Sequence, residues 1–314
     1  MEERHIKILF ITGASRSGST MLDRILGQIE GFFSLGEMHH IWQRSFIENQ
    51  LCGCGVPFKE CEFWQSVINR AFGGFDEVDP EKILKLRYSV QRIRFIPWLG
   101  CPKLRSLRYQ RRLSEYGEIW KQLYTAIREV SGSNVLIDSS KSPVHGFILN
   151  TIPGIDLYVV HLVRDSRAIA YSWQRAKRRP EIHWKEVYMH RMGVWGSVRD
   201  VFMSNFLARL LGSIVSHYIV IRYEDLVAQP QSVLLQLFEH LGMEVPDLSH
   251  LFDGLVINLE TSHMVSGNPM RFEHGNVRIR VDDEWKQRLS TCKRIAVTTL
   301  SWPYLLHYGY LRGK

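Results

Sequence analysis

Long apolar runs, low-complexity tracts and abundant cysteine are all missing from this sequence of 314 residues. No apolar run of 18 residues occurs, which excludes an ordinary transmembrane helix. The first residues lack the charged, apolar and small-residue order of a signal peptide. The cysteines number five, an odd count that does not suit a disulfide framework. Together these absences predict a cytoplasmic protein in a reducing compartment.

The remaining composition is that of a globular chain, with 45% hydrophobic and 23% charged residues. Four short apolar segments predict buried strands: 6–12, 134–137, 157–163 and 217–222. Helical patterns lie between and after them: 21–28, 38–49, 62–72, 81–95, 104–130, 166–177, 184–211 and 230–241. This alternation predicts an α/β fold with a P-loop-like core, in which a mostly parallel sheet is flanked by helices. We expect a single domain over residues 1–314, with a helical insertion at about 38–131.

Positive charge is unevenly distributed along the chain, whose formal net charge is +8. The segment 85–112 contains nine Lys and Arg residues and no acidic residue. Such a stripe indicates an anionic partner or a solvated helix face. No nucleic-acid-binding motif accompanies it, so we expect no nucleic acid partner.

A glycine-rich segment, GASRSGST at residues 13–20, follows the first predicted strand and begins a helix. Its frame is that of a P-loop, whose backbone amides and helix N-terminus hold phosphate oxygens. The lysine that normally precedes the last Ser/Thr is replaced by Ser19, which disfavours a Mg²⁺-nucleotide kinase. The predicted anion-binding residues are Ser15, Arg16, Ser17, Gly18, Ser19 and Thr20.

A second anion motif begins where the third predicted strand ends. Arg164 stands at the strand end and Ser172 lies eight residues later, about two helical turns away. An arginine fork and a hydroxyl suit a phosphate group. The alternative is an N-cap at Asp165 or Ser166 with surface arginines. Two phosphate motifs at strand ends imply a ligand with two separated anionic groups.

The loop with Arg16, combined with Arg164-x7-Ser172, resembles the sulfotransferases that depend on 3′-phosphoadenosine 5′-phosphosulfate (PAPS). The closest motifs are those of the tyrosylprotein-type and bacterial members, and RYEDL (222–226) and SGNPMRF (266–272) extend the likeness to residues 6–290. The resemblance implies that the first loop binds the 5′-phosphosulfate and that Arg164 and Ser172 bind the 3′-phosphate. It also implies that Arg271 lies in a loop that closes over the nucleotide.

The same resemblance suggests the catalytic residues. Glu37 follows the loop in a Gly-Glu motif and is the predicted base, with His39 and His40 as rivals. Lys141, in DSSKSP, is the predicted stabiliser of the leaving phosphate, together with Arg16. Asp138 either caps that turn or orients Lys141.

Three of the cysteines are clustered as Cys52, Cys54 and Cys61 in the spacing C-x-C-x6-C. This is not a standard zinc spacing, and the sequence offers no obvious fourth ligand. A disulfide or plain packing is therefore favoured over zinc, and no metal is expected.

These observations predict an enzyme that moves a sulfuryl group from PAPS to an acceptor hydroxyl on a saccharide, small metabolite or peptide, releasing adenosine 3′,5′-bisphosphate. The acceptor can be anionic, and the sequence leaves its identity and the oligomeric state open. Two alternatives stand beside this prediction: a P-loop nucleotide kinase or NTPase, and a non-catalytic protein that binds polyanions through the segment 85–112.

Overall fold

All four predicted strands form in the computed structural model, which describes residues 5–311, and a fifth strand joins them. The strand bounds are β1 Ile6–Thr12, β2 Phe32–Gly36, β3 Val135–Lys141, β4 Ile155–Val163, β5 His217–Arg222, β6 Val256–Leu259 and β7 Gly275–Arg278. The first five strands form a parallel sheet in the order β2-β3-β1-β4-β5. The two short strands β6 and β7 form a separate antiparallel pair.

The α-helices follow most of the predicted helical patterns. They are α1 Ser19–Leu26, α2 Glu62–Phe72, α3 Pro80–Val90, α4 Ile96–Gly100, α5 Leu107–Ser131, α6 Pro143–Leu149, α7 Ser166–Gln174, α8 Val194–Gly212, α9 Tyr223–Ala228, α10 Pro230–Leu241, α11 Trp285–Arg288 and α12 Thr291–His307. Short 3-10 turns cover Met38–His40, Phe58–Glu60, Ile93–Phe95, Pro102–Leu104 and Pro269–Phe272, and a π-helix covers Ile41–Ile47. No helix within residues 5–311 has the length and apolar character needed to cross a bilayer.

Two departures from the predicted elements have simple physical reasons. The helix predicted over 184–211 begins only at Val194, because the backbone before it pairs with residues 177–179 instead. The Arg179 amide donates to the Val187 carbonyl at 2.8 Å, and the Met189 amide donates to the Lys177 carbonyl at 2.7 Å. Strand β2 was not predicted, since its five residues FFSLG contain a serine and a glycine and give too short an apolar run. Its pairing with β3 stabilises it in the sheet.

Both faces of the sheet are buried, as a parallel sheet requires. Alternate residues of β1 point to opposite sides: Ile8 and Phe10 pack against the helical segment that contains α2 to α5. Leu9 and Ile11 pack against α1 and α10 on the other side. The strands are thereby fixed on both faces, and their carboxyl ends form one rigid edge.

Candidate active site

A cleft of about 1660 Å³ lies at the carboxyl edge of the sheet. Ordinary small-molecule pockets occupy about 300–1,000 Å³, so this cleft has room for a nucleotide and a second substrate. Residues from five predicted positions line it together: Arg16, Glu37, Lys141, Arg164 and Ser172. The two anion motifs and the candidate base therefore share one cavity.

The first loop has the backbone of a phosphate site. Gly13 and Gly18 have φ angles of 135° and 96°, in the region that favours glycine. A Cβ at Gly13 would lie 2.3 Å from the Leu162 carbonyl oxygen, so the loop can pack against β4 only without a side chain there. Gly18 caps α1, whose first amides have no partner inside the helix. These amides suit an anion in the cleft.

Arg16 links the two anion motifs. Its backbone has a φ of 68°, and its carbonyl oxygen accepts a hydrogen bond from Arg164 Nη1 at 2.9 Å. Its guanidinium stacks on the Trp173 ring, with the guanidinium carbon 4.7 Å from the ring centroid. Ser15, Gly18, Ser19 and Thr20 also line the cleft, while Ser17 is buried behind it.

The second motif places Arg164 and Ser172 on the cleft wall. Arg164 stacks on Tyr223 at 4.3 Å, and its Nη2 donates to Asp282 Oδ2 at 3.0 Å. Asp165 caps α7 by accepting from the Arg167 amide at 2.8 Å. The cap considered as an alternative is therefore present, and it coexists with an Arg164 side chain that reaches the cleft.

Glu37 directly follows β2 and is only 7% exposed. Its carboxylate accepts a hydrogen bond from Lys141, and Arg44 Nη1 and His40 Nε2 lie 3.6 and 3.8 Å from its Oε2. Burial raises the pKa of Glu37, but the charge of Lys141 and then that of Arg44 outweigh burial, and the pKa falls to about 2. The carboxylate is thus ionised and held by cations.

His39 and His40, the rival bases, also line the cleft. Burial lowers the pKa of both rings well below the ordinary histidine value; His40 lowers the pKa of His39 further, and Arg44 lowers that of His40 further. Their rings lie against one another with centroids 3.7 Å apart. Both are neutral at physiological pH, so each can accept a proton only weakly.

Asp138 sits in a buried network behind Lys141. It accepts from the Ser140 amide at 2.9 Å, from the Ser140 hydroxyl and from Tyr124 Oη at 2.6 Å. His145 Nε2 lies 3.3 Å from the same carboxylate. Of the two roles considered for Asp138, this geometry favours holding the turn over contacting Lys141 directly.

Arg271 does not line the cleft in this structure. It is 1% exposed, stacks on Phe272 at 4.6 Å, and donates from Nη2 to the Leu51 carbonyl at 3.1 Å. Burial lowers the pKa of Arg271 to about 10. Its contact with the 3′-phosphate stays a prediction, and the described geometry favours a role in supporting its loop.

Three residues at the site were not singled out in the sequence. Arg44 faces Glu37, Asp282 pairs with Arg164, and Asp23 lies buried beneath the site. Asp23 Oδ2 accepts from the Gly36 amide at 3.2 Å and from Ser139 Oγ at 2.5 Å. An acidic residue within the first helix after the loop is the only sequence signal for Asp23. The basic residues of segment 85–112 line no part of the cleft.

Fold and cleft together define an α/β protein with a P-loop-like anion site. Residues 104–247 match the model of the family described as "Sulfotransferase family". This match agrees with the resemblance to sulfotransferases that the motifs of the chain predict. Carbohydrate sulfotransferase 2 of Mus musculus and that of Homo sapiens are each 30% identical to it over 194 residues, which cover 51% of this chain. The chain matches 36% of the length of these curated relatives.

Solved structures with similar coordinates include two sulfotransferase domains. That of the Synechococcus PCC 7002 olefin synthase has 18% identity and a TM-score of 0.49, covering 97% of this chain and 96% of its own. That of the curacin biosynthetic pathway has 17% identity and a TM-score of 0.48, covering 95% of this chain and 98% of its own.

Proposed function

We propose that the protein transfers a sulfuryl group from PAPS to a hydroxyl group of a saccharide acceptor. One observation carries the proposal: the loop at Arg16, the Arg164–Ser172 motif and the Glu37–Lys141 pair line a single cleft. A donor with two separated anionic groups needs two anion sites, and its chemistry needs a base and a cation nearby. The match of residues 104–247 to the sulfotransferase family model supports the same reaction class.

The proposed donor contacts follow the two motifs. The amides of the loop and the Arg16 side chain bind the 5′-phosphosulfate, while Arg164 and Ser172 bind the 3′-phosphate. Charge-assisted hydrogen bonds from arginine to phosphate are about twice as strong as neutral ones. Asp282 occupies the Arg164 fork in this structure, so the 3′-phosphate would take the place of that carboxylate.

In the proposed reaction the acceptor oxygen attacks the sulfur of PAPS. A bond forms between that oxygen and sulfur, and the bond between sulfur and the bridging phosphate oxygen breaks. The acceptor proton passes to Glu37, and the leaving group is adenosine 3′,5′-bisphosphate. Lys141 and Arg16 stabilise the charge that develops on the phosphate.

The Glu37–Lys141 pair explains how a carboxylate with a pKa of about 2 can act as a base. Lys141 lowers that pKa only while it faces Glu37. When the charge on the phosphate draws Lys141 towards the donor, Glu37 loses its main counter-charge and its pKa rises. Donor binding thereby makes the ionised carboxylate a stronger base for the acceptor proton.

A saccharide acceptor is proposed from the curated relatives, which are named as carbohydrate sulfotransferases. The cleft volume exceeds the needs of the nucleotide, and Trp173 offers an aromatic ring at its wall. We also propose a cytoplasmic, reducing location, since none of the five cysteines forms a disulfide in this structure.

The test begins with thermal unfolding in the presence of adenosine 3′,5′-bisphosphate and, separately, of Mg-ATP. A ligand at 100 times its dissociation constant adds about 2.7 kcal/mol of stability. We expect a Tm increase of several degrees with the bisphosphate, and transfer of ³⁵S from labelled PAPS to one or more members of a saccharide panel. Stabilisation by Mg-ATP alone would favour the kinase alternative instead.

The polyanion-binding alternative makes a different prediction. Polyanion binding through segment 85–112 would be lost in the double variant Arg108→Ala with Arg111→Ala and kept in Arg164→Ala. The proposed enzyme would show the reverse pattern for the bisphosphate, because both arginines of the double variant lie outside the cleft.

A further inference from the structure

Three cysteines and a histidine meet away from the cleft. Cys52, Cys54 and Cys61 come from the beginning of the helical segment, and His263 comes from the stretch between β6 and β7. Their ligand atoms all lie within 4.8 Å of one another. His263 is the fourth ligand that the sequence alone did not reveal, because 202 residues separate it from Cys61.

The distances among these atoms fit a tetrahedral ion. With Zn–S at about 2.3 Å and Zn–N at about 2.0–2.1 Å, tetrahedral angles give about 3.8 Å between sulfurs and about 3.6 Å between sulfur and nitrogen. Cys54 Sγ and Cys61 Sγ are 3.7 Å apart. His263 Nδ1 lies 3.3 Å from Cys61 Sγ and 3.8 Å from Cys52 Sγ. A disulfide would instead need an S–S distance of about 2.05 Å.

The backbone around the cluster is built for this close approach. A Cβ at Gly53 would lie 2.6 Å from the Ser262 carbonyl oxygen, so only glycine fits between the first two cysteines. The Gly53 amide donates to the Met264 carbonyl at 2.9 Å. Cys61 stands at the N-cap of α2, where the helix dipole favours a thiolate.

Neighbouring aromatic residues hold the histidine in place. Phe63 stacks on the His263 ring, with centroids 4.8 Å apart and an interplanar angle of 18°. Trp64 Nε1 donates to the His263 carbonyl at 2.9 Å. These contacts fix the orientation of the imidazole towards the thiols, and neighbouring groups commonly fix the orientation of a metal-binding histidine in this way.

We infer that Cys52, Cys54, Cys61 and His263 bind a structural Zn²⁺ ion. The donor set of three thiolates and one imidazole is a standard set for structural zinc, and four protein ligands leave no open position for catalysis. This inference replaces the expectation of no metal, and it does not depend on the proposed sulfuryl transfer.

The ion would join the helical segment to the part of the chain that supports Glu37. Val265, two residues after His263, accepts a hydrogen bond from the Glu37 amide at 2.8 Å and donates to the Leu35 carbonyl at 2.8 Å. Zinc would therefore fix the position of the strand β2 end and of the loop 266–272. Its loss should loosen both.

The test measures metal in the untagged full-length protein, purified with a reductant and without chelator. We expect about one zinc per chain by elemental mass spectrometry. Replacement by Co²⁺ should give visible absorption of tetrahedral geometry with thiolate charge-transfer bands. Cys61→Ser and His263→Ala should lose the metal, while Cys292→Ser, at an exposed cysteine outside the cluster, should keep it.

A further variant separates ligation from folding. His263→Cys should keep stoichiometric zinc and shift the Co²⁺ spectrum to that of a four-sulfur site, even if His263→Ala does not fold. Chelation of wild-type zinc should lower the Tm by several degrees, and added zinc should restore it. Reduced wild-type protein that takes up neither Zn²⁺ nor Co²⁺, or a Cys54–Cys61 disulfide in the freshly purified protein, would overturn the inference.

Discussion

Two ion pairs line the cleft, Glu37 with Lys141 and Asp282 with Arg164, and the two carboxylates differ in how they are held. Glu37 follows a sheet strand, its side chain is 9% exposed, and its amide is bonded to Val265. Asp282 lies between β7 and α11, outside any helix or strand, and its side chain is 30% exposed. The Glu37–Lys141 pair is therefore fixed by the sheet, which we call the framework, whereas the carboxylate of the Arg164–Asp282 pair lies in a partly exposed loop.

The difference separates two functions of charge in this cleft. The framework fixes the Glu37–Lys141 pair, which suits groups that must meet the reacting atoms in one geometry. Only Asp282 of the Arg164–Asp282 pair reaches solvent, since the Arg164 side chain is 6% exposed, and an ion pair with one solvated partner contributes on the order of 1 kcal/mol. A ligand phosphate can displace Asp282 at small cost, which suits a site for binding and release.

The largest effect should come from removing the proposed base of the Glu37–Lys141 pair. Glu37→Gln should lower kcat for sulfuryl transfer by about 10²–10⁴-fold, because a positioned general base contributes that much. The KM for PAPS should change little, since Lys141 and Arg16 remain. Initial rates with the best acceptor of the saccharide panel provide the measurement. Glu129→Gln, a surface carboxylate paired with Arg70, is the matched control. Equal rates for Glu37→Gln and wild type would return His39 and His40 to consideration.

At the Arg164–Asp282 pair, Arg164→Ala should weaken binding of the nucleotide more than it lowers turnover. Losing a charge-assisted contact of about 1.5–3 kcal/mol corresponds to about a 10- to 150-fold rise in Kd for adenosine 3′,5′-bisphosphate. Isothermal titration calorimetry measures that Kd, with exposed Arg108→Ala as control. An unchanged Kd would mean that the second motif does not bind the 3′-phosphate.

The stability that buried Asp23 contributes beneath the Glu37–Lys141 pair should depend on pH. Burial raises the pKa of Asp23 to about 7, from an ordinary value of 3.8, so its contribution to stability is complete below about pH 4 and is lost as pH rises to about 7. Asp23→Asn has no such dependence. The Tm of the variant minus that of wild type should therefore increase by several degrees between pH 4 and pH 7 and stay constant above. A difference that is flat across this range would contradict the raised pKa.

The smallest effect should come from Asp282→Asn. Without the carboxylate, Arg164 is free for the ligand, and binding of adenosine 3′,5′-bisphosphate should tighten by about 1.5- to 5-fold, the equivalent of a partly exposed ion pair. Asp247→Asn removes the same charge from an exposed carboxylate that does not line the cleft, and it is the matched control. Weaker binding would show that Asp282 supports the bound state.

Local sequence patterns predicted most strands of the sheet but missed strand β2 and misplaced the start of helix α8. The strands at 6–12 and 217–222 have the predicted bounds, since each contains an unbroken apolar run, ILFI at 8–11 and YIVI at 218–221, with polar residues on either side. Strand β2 and the start of α8 were missed or misplaced. The first has too few apolar residues to stand out, and the second follows a charged stretch whose conformation depends on contacts with the rest of the chain.

By itself, the sequence determined which residues could carry the chemistry. GASRSGST and Arg164 follow the ends of strands that the sequence predicts, and parallel strands bring their carboxyl ends to one edge. Glu37 was predicted from the family resemblance, because strand β2 before it was not predicted. Only the tertiary structure decided what these groups face. Asp282 reaches Arg164 across 118 residues, and His263 reaches Cys61 across 202. Periodicity and motif spacing describe neighbours along the chain, whereas such pairings arise from how separate elements pack, so no local pattern could reveal them.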